Sequence, residues 1–386
     1  MATLGMRATN QGDSDERPYA WRKGIANLYP NAAPLIHVMT RASKSTVSDP
    51  EFKWFEKQFP QQTLTVNGAI ADTAETSITV DSGDAYKVRK DHLLRNTRSL
   101  ETYRVTADPS SATGITVARS VGTTAAAAIS DDDSLIVIGT AHPEGDSVPT
   151  SVWYNPSSVT GYCQIFRNST DQTETARRTN MRTGPIQKEA RREALLLHEI
   201  DKERAFIFGE ASSSESGNSA RRTTAGLIEK ISTNVTDFSG SVSRSAFNSA
   251  LADIFVDGSS EKLLLTGKLG MLCLWNMVEA MAWNVYDRTD ASFGIKINEF
   301  VTPFGSLMVT HDKLLTKTQD FSDWALVVDP QYLEYRFVKG RDTDLKKNRQ
   351  NPGDDRVIDE YLAEVGLAVM HEETHGVLKN MTAFVG

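Results

Sequence analysis

One string in the sequence has the letters of a catalytic metal site. His371-Glu372-Glu373-Thr374-His375 matches H-E-x-x-H, in which two histidines one helical turn apart hold zinc and the glutamate works on the metal-bound water. Its surroundings argue against that chemistry. A catalytic zinc takes a third protein ligand, commonly downstream, and residues 376–386 contain no His, Asp, Glu or Cys. Just upstream, Val365, Leu367 and Val369 alternate with period two, the signature of a strand. At ~3.3 Å per residue two strand histidines four positions apart stand about 13 Å from each other, too far to share an ion. His371 and His375 are therefore expected to be solvated strand histidines. Zinc-dependent hydrolysis through His371, Glu372 and His375 stands as the rival reading.

Other chemical signatures fail on spacing. Thr266-Gly267-Lys268 sits between strand-like and helix-like runs, as a phosphate-binding loop does. That loop needs four residues between its glycines and a Ser or Thr after the Lys, whereas Gly258 and Gly267 enclose eight and Leu269 follows. Asp131-Asp132-Asp133 lacks the alternating spacing of a calcium loop and reads as a turn. Cys163 and Cys273 lie far apart in apolar surroundings, so two buried, unreactive thiols are expected, without a disulfide. No catalytic, cofactor-binding or metal-binding residue, and no cofactor, is predicted. One charge cluster remains. Arg177, Arg178, Arg182, Lys188, Arg191 and Arg192 against Glu189 give +5 over residues 177–192 in a chain of net charge −8. Such a strip either faces phosphates without reading sequence or pairs with acidic neighbours from another domain or subunit.

These residues need elements to carry them. Residues 1–50, with Pro18, Pro30 and Pro34 and scattered Trp21, Leu28, Tyr29, Leu35 and Ile36, show no periodicity and read as an extended arm that lies on something else. Over 51–176 short β-type runs at 63–66, 77–80, 101–106, 114–119 and 134–138 alternate with turn clusters, an all-β unit; 122–128 reads as a loop or short helical turn. A long helix is predicted from Pro185 to Phe208, free of Gly and internal Pro. Its apolar stripe runs through Ile186, Ala190, Ala194, Leu195, Leu197 and Ile200. Gly209 stops it, and a polar, flexible loop follows over 211–219. The segment 177–240 is grouped with this helix.

The next segment, 241–338, alternates types: helix 244–256, strand 262–266, helix 268–285, a hairpin of 295–301 and 306–310, and strands 324–328 and 332–338. Leu269, Leu272, Leu274, Trp275, Val278 and Met281 make the second helix apolar nearly all round, so it is expected to sit centrally against a sheet. The last segment, 339–386, holds a charged surface loop at 340–356 and a β-like return over 364–379.

Bulk composition narrows the class further. With 386 residues, 39% hydrophobic and 24% charged, the chain can bury several cores, and collagen-like, coiled-coil and disordered classes drop out. The net negative charge excludes a generally basic nucleic-acid binder. Asp13, Asp15 and Glu16 break any signal-peptide core, and Lys268, Asn276 and Glu279 interrupt the most apolar stretch, 263–283. A soluble protein of a reducing cytoplasm, without a membrane partner, is expected.

Particular phrases follow that order of parts. They are Gly122-Thr123-Thr124-Ala125-Ala126, then Ile138-Gly139-Thr140-Ala141, Glu144-Gly145, Gln164-Ile165-Phe166 and Thr175-Ala176; later come Arg222-Thr223-Thr224-Ala225-Gly226-Leu227-Ile228 and Phe304-Gly305-Ser306-Leu307-Met308-Val309. In sequence and in order the chain resembles the major capsid proteins of tailed bacteriophages, the Hong Kong 97 fold, in the subgroup with a β-rich E-loop insertion. The resemblance implies an α+β fold. Residues 1–50 would be an N-terminal arm and 51–176 the E-loop with its insertion, both reaching across neighbouring subunits. Residues 177–240 would supply the spine helix and peripheral P domain, 241–338 the axial A domain, and 339–386 a loop and the return strand to the P domain. It further implies a non-enzymatic subunit that assembles with itself into hexamers and pentamers of an icosahedral head, made in the bacterial host cytoplasm and residing in the virion. Double-stranded DNA would be packaged inside, with the basic strip Arg177, Arg178, Arg182, Lys188, Arg191 and Arg192 facing it. Scaffolding, portal and decoration proteins are possible partners; the long helical N-terminal scaffold of some relatives is absent. Bacterial encapsulins, which share the architecture and store cargo enzymes, are the alternative shell; the long β excursion favours phage.

Overall fold

The longest ladder in the chain pairs Gln164–Thr173 antiparallel with Arg356–Val369, from Gln164 opposite Val365 to Thr173 opposite Arg356. Leu333–Val338 and the short Asp344–Lys346 pair with the same long strand, and Lys44–Val47 adds a parallel edge against Leu333–Val338. The computed structural model describes residues 33–58, 62–179, 184–214, 220–281, 285–290 and 295–385. They divide into two compact units, Met1–Trp54 with Val159–Gly386, and Phe55–Ser158.

In the first unit, helix Ile186–Phe208 packs on the five-stranded sheet through Phe206 and Ile207, which join Phe166, Tyr335, Val365 and Leu367 in one core. A second, seven-stranded sheet runs in the order Val235–Asp237, Gly376–Lys379, Ala325–Val328, Glu261–Thr266, Ser306–His311, Ile295–Val301, Val285–Asp290. Helices Arg244–Ile254 and Lys268–Met281 contribute Phe247, Leu251, Cys273 and Met277 to a second core with its strands. Here Glu261–Thr266 is buried from its second residue on, as a central strand covered on both faces must be.

The second unit is an antiparallel six-stranded sheet in the order Thr63–Thr65, Ser134–Thr140, His92–Asn96, Thr102–Val105, Gly114–Ala118, Ser77–Thr79. Alternate residues point inward, Ile115 and Val117 from one strand and Tyr103 and Val105 from the next, and they close a separate core with Leu64, Ile78, Leu94 and Leu135. The five expected β runs are these strands to within two residues at each end, with His92–Asn96 the member not foreseen. Residues 122–128 carry no helix.

Several expectations need correction. The arm holds a helix, Pro34–Ala42, and its Leu35, Ile36 and Met39 are buried in this chain's own core. The long helix begins at Ile186, but Leu197 of the expected apolar stripe is 49% exposed, while the buried face carries Ala194, His198, Lys202, Glu203, Phe206 and Ile207. Gly209 ends it for a reason other than a left-handed turn: its φ is −62°, and a Cβ there would lie 2.2 Å from the Ala205 carbonyl oxygen and 2.6 Å from that of Thr224. In the polar loop Ser212–Ser214 and Arg221–Thr223 form a ribbon; residues 215–219 of that loop lie outside the described residues.

Helix Lys268–Met281 ends before 285, because Val285–Asp290 is a strand that turns the expected hairpin into three strands. It is not covered all round, since Leu272 and Trp275 are 52% and 57% exposed. The charged loop at 340–356 contains the strand Asp344–Lys346. Cys163 and Cys273 are free and buried, and burial raises their thiol pKa values to about 12 and about 11. Among the described residues no helix is long and apolar enough to cross a membrane.

Candidate functional site

His371-Glu372-Glu373-Thr374-His375 is neither the helix a zinc motif requires nor the strand that sequence periodicity predicts. Strand Arg356–Val369 stops, His371 takes a left-handed φ of 48°, and Glu372–Thr374 forms one 3-10 turn before Gly376–Lys379. The turn is tied on all sides. The Glu372 carboxylate accepts from the backbone N and Oγ of Ser232 at 2.8 and 3.0 Å, and from those of Thr233 at 3.1 and 2.5 Å. Burial works to raise the Glu372 pKa, but these bonds, led by the Thr233 hydroxyl, bring it below the usual range. Asn234 Nδ2 donates to the carbonyls of Glu373 and His375 at 2.6 and 3.1 Å.

His375 is buried, not solvated, and its Nδ1 accepts from the Asp329 backbone N–H at 3.0 Å. Burial pushes its pKa down to about 4, so the imidazole is neutral at pH 7. The His371 ring stands edge-on to Tyr332, with centroids 5.6 Å apart. With the carboxylate and Nδ1 both committed to backbone donors, the segment serves as a corner brace between strands. The described residues that could jointly hold a metal ion are elsewhere and do not include His371, Glu372 and His375.

The basic strip is partly neutralised inside the chain. Arg177 and Arg178 both pair with Glu174 at 2.7 and 3.0 Å across one short helix, Glu174–Arg178. Arg191 reaches the buried Asp359 at 2.7 Å, where Gln187 Nε2 and the Asn348 backbone N–H also donate to that carboxylate. Arg182 lies outside the described residues. Lys188 and Arg192 are exposed on the first turns of helix Ile186–Phe208, with no ion pair among the described residues. Glu360, next to Asp359, points to the opposite face of the sheet, where Arg167 and Arg349 (3.5 Å) pair with it beside a groove of about 420 Å³. Arg167 and Arg349 were missed as a basic pair because 182 positions separate them and only the strand ladder brings them together.

Sequence also gave no sign of the polar residues beneath the long helix. Glu203 is fully buried, and its Oε1 and Oε2 accept from the backbone N–H groups of Leu35 and Ile36 at 2.8 and 2.9 Å. Burial, with the nearby Asp312 charge, raises the Glu203 pKa well above the carboxylate norm, and burial lifts Asp312 to about 6. His198 Nδ1 lies 2.7 Å from Asn168 Oδ1, and burial lowers its pKa to about 4. Lys202 Nζ donates to Thr343 Oγ1 at 2.9 Å.

A long helix packed on a long antiparallel ladder, a second sheet with its helices, and a separate β unit over Phe55–Ser158 make up a Hong Kong 97-like fold, that of a shell subunit. The chain belongs to the family of SU10 major capsid proteins, whose model matches residues 8–382. It is 24% identical over 345 residues to the major capsid protein of Pseudomonas phage PaMx41, covering 86% of this chain and 81% of that one. Among solved structures it is similar to the capsid of a native GTA particle, with a TM-score of 0.50 and 9% identity over 98% of this chain and 99% of that chain. The holo-SrpI encapsulin complex of Synechococcus elongatus PCC 7942 gives a TM-score of 0.44 and 10% identity over 60% of this chain and 79% of that chain. The function is that of a phage major capsid protein, and the virion shell is its location.

Proposed function

We propose that the chain occupies both hexamers and pentamers of a closed icosahedral head, assembled in the bacterial cytoplasm and filled with double-stranded DNA. The family match over residues 8–382 carries this reading and favours a phage head over an encapsulin-like cargo store. Within the 51–176 segment the compact unit Phe55–Ser158 acts as the E-loop excursion, and the arm of 1–50, whose helix Pro34–Ala42 is anchored in this chain's own core, joins it in gripping neighbours. The five-stranded sheet with helix Ile186–Phe208 forms the peripheral P part, Leu333–Val338 included, and the seven-stranded sheet with its helices the axial A part, to which Val235–Asp237 and Gly376–Lys379 belong. Exposed apolar side chains support the contacts this needs: Trp153 and Ile138 on the excursion unit, Leu272 and Trp275 on helix Lys268–Met281. Many such modest contacts sum to a closed shell by avidity. No enzymatic role is assigned, and scaffolding, portal and decoration proteins enter as assembly partners.

The basic strip contributes to DNA contact through its unpaired members. Arg191 is held by Asp359, whereas Lys188 and Arg192 remain available to phosphates, and contacts of this kind carry no sequence preference. Lys188→Glu/Arg192→Glu is expected to leave shells forming at wild-type yield while lowering the DNA-filled fraction several-fold, scored by density-gradient banding of particles in a complementation assay. Equal filling in variant and wild type would remove DNA contact from this face.

A further inference from the structure

We propose that Asp91, His142 and Asp146 of the excursion unit form a binding site for a divalent transition-metal cation of the zinc type. Asp91 precedes strand His92–Asn96 with a left-handed φ of 66° and is only 5% exposed. Its Oδ2 is buried and accepts no hydrogen bond, a costly state for a carboxylate oxygen unless a cation meets it. His142 Nδ1 stands 3.6 Å from that oxygen and 3.2 Å from Asp146 Oδ2, and the three ligand atoms lie within 4.8 Å of one another. A tetrahedral ion with ~2.0–2.2 Å bonds to nitrogen and oxygen places its ligands about 3.3–3.6 Å apart, close to the two separations from His142, so an ion between the imidazole and the carboxylates would draw the two carboxylate oxygens toward a common centre. The competing cation is Lys90, whose Nζ is 3.8 Å from Asp91 Oδ2, beyond hydrogen-bond length, on a side chain that is largely exposed.

The backbone prepares the arrangement. Ala141 N–H donates to the Asp91 carbonyl at 2.8 Å, which sets His142 beside the buried carboxylate, and Asp146 Oδ1 accepts from Ser147 N–H at 2.8 Å while its Oδ2 is hydrogen-bonded to His142 Nδ1 at 3.2 Å, the contact an ion between them would replace. The side chains of His142 and Asp146 are 28% and 22% exposed, so water can enter and complete the coordination. One imidazole with two carboxylates selects a borderline transition ion over Mg²⁺ or Ca²⁺. Residues 141–156 have neither helix nor strand, and their far end is held by Arg89 on the Thr150 carbonyl at 2.6 Å and by Thr150 Oγ1 on Asp108 at 2.7 Å. The ion would fasten the near end to the sheet.

The test is calorimetric titration of Zn²⁺ into the EDTA-stripped, dialysed full-length protein, with Co²⁺ absorption as a second readout. One Zn²⁺ per chain is expected, with affinity reduced at least about tenfold in both His142→Ala and Asp146→Asn, and unchanged in His371→Ala. The exposed Asp146→Asn change reads the site even where His142→Ala disturbs folding. The Co²⁺ ligand-field bands should weaken in the same two variants. Absence of zinc binding, or equal binding by wild type, His142→Ala and Asp146→Asn, would show that the three side chains only pair with one another and would overturn the proposal. Loss confined to His371→Ala would move the metal to the 371–375 turn and overturn it equally.

Discussion

Replacing Lys262 with Met is expected to cost the folded chain about 2–4 kcal/mol, measured by chemical denaturation of the full-length protein. The reason lies in what surrounds its ammonium. Lys262 is buried on strand Glu261–Thr266, and its Nζ donates to the carbonyls of Ile254 and Asp257, both at 2.8 Å, and of Thr374 at 2.6 Å. These three carbonyls come from the end of helix Arg244–Ile254, the loop after it and the 372–374 turn, so one side chain joins three segments that no ladder connects. Burial pulls the lysine pKa down to about 8, partly resisted by Asp329 and Asp257, and the group stays charged at pH 7. Each charge-assisted bond is worth ~1.5–3 kcal/mol, and the variant leaves three carbonyls without their donor. Removing a desolvated charge returns part of that loss, which is why the expected net is smaller than the gross sum. A cost below 0.5 kcal/mol would mean that the carbonyls find water and that the ammonium is not the brace described.

Glu203→Leu is expected to cost a similar amount, about 2–4 kcal/mol, with a local signature. Helix Pro34–Ala42 begins with a proline, which has no N–H, after Ala33, which has no side chain to cap the first turn. The orphan donors of that turn, Leu35 N–H and Ile36 N–H, are met by a carboxylate 168 and 167 positions away. Leucine would leave both buried donors unmet at ~1–3 kcal/mol each, offset by the cost of burying the carboxylate. Hydrogen exchange should therefore quicken most at residues 35–40 in the variant, well ahead of the Gln164–Thr173 ladder. Uniform acceleration across the chain would place the role of Glu203 elsewhere.

Both predictions rest on residues that sequence patterning passed over, and the cause is the same. Periodicity identifies apolar faces, so the strands of the excursion unit were legible: Ile115 and Val117 alternate with polar neighbours as a half-buried strand must. The long helix was legible from its lack of Gly and Pro, and the two thiols from their apolar neighbours. Periodicity says nothing of a polar residue buried because a distant backbone needs it, and Glu203 and Lys262 are of that kind. Helix Pro34–Ala42 did leave a signal in Pro34 at its first turn and Leu35, Ile36 and Met39 on one face, but the other prolines nearby, Pro18 and Pro30, masked it. The strand alternation at Val365, Leu367 and Val369 was real, yet the left-handed His371 ended it before the histidine string. At the candidate sites, composition found the basic strip but not Asp359, which holds Arg191 from 168 residues away. Asp91, His142 and Asp146 were invisible for the same reason, since 51 positions separate the first two and only the β unit brings them together.

The shell role is tested most directly by electron microscopy of the full chain, expressed with the other head proteins of its phage, followed by tracing of the subunit in the particles. A shell subunit of this family should appear as closed particles with this chain in both five-fold and six-fold positions, the unit Phe55–Ser158 lying over a neighbour. A chain that stays a 42.5 kDa monomer under those conditions, or is absent from the shells that form, would contradict it.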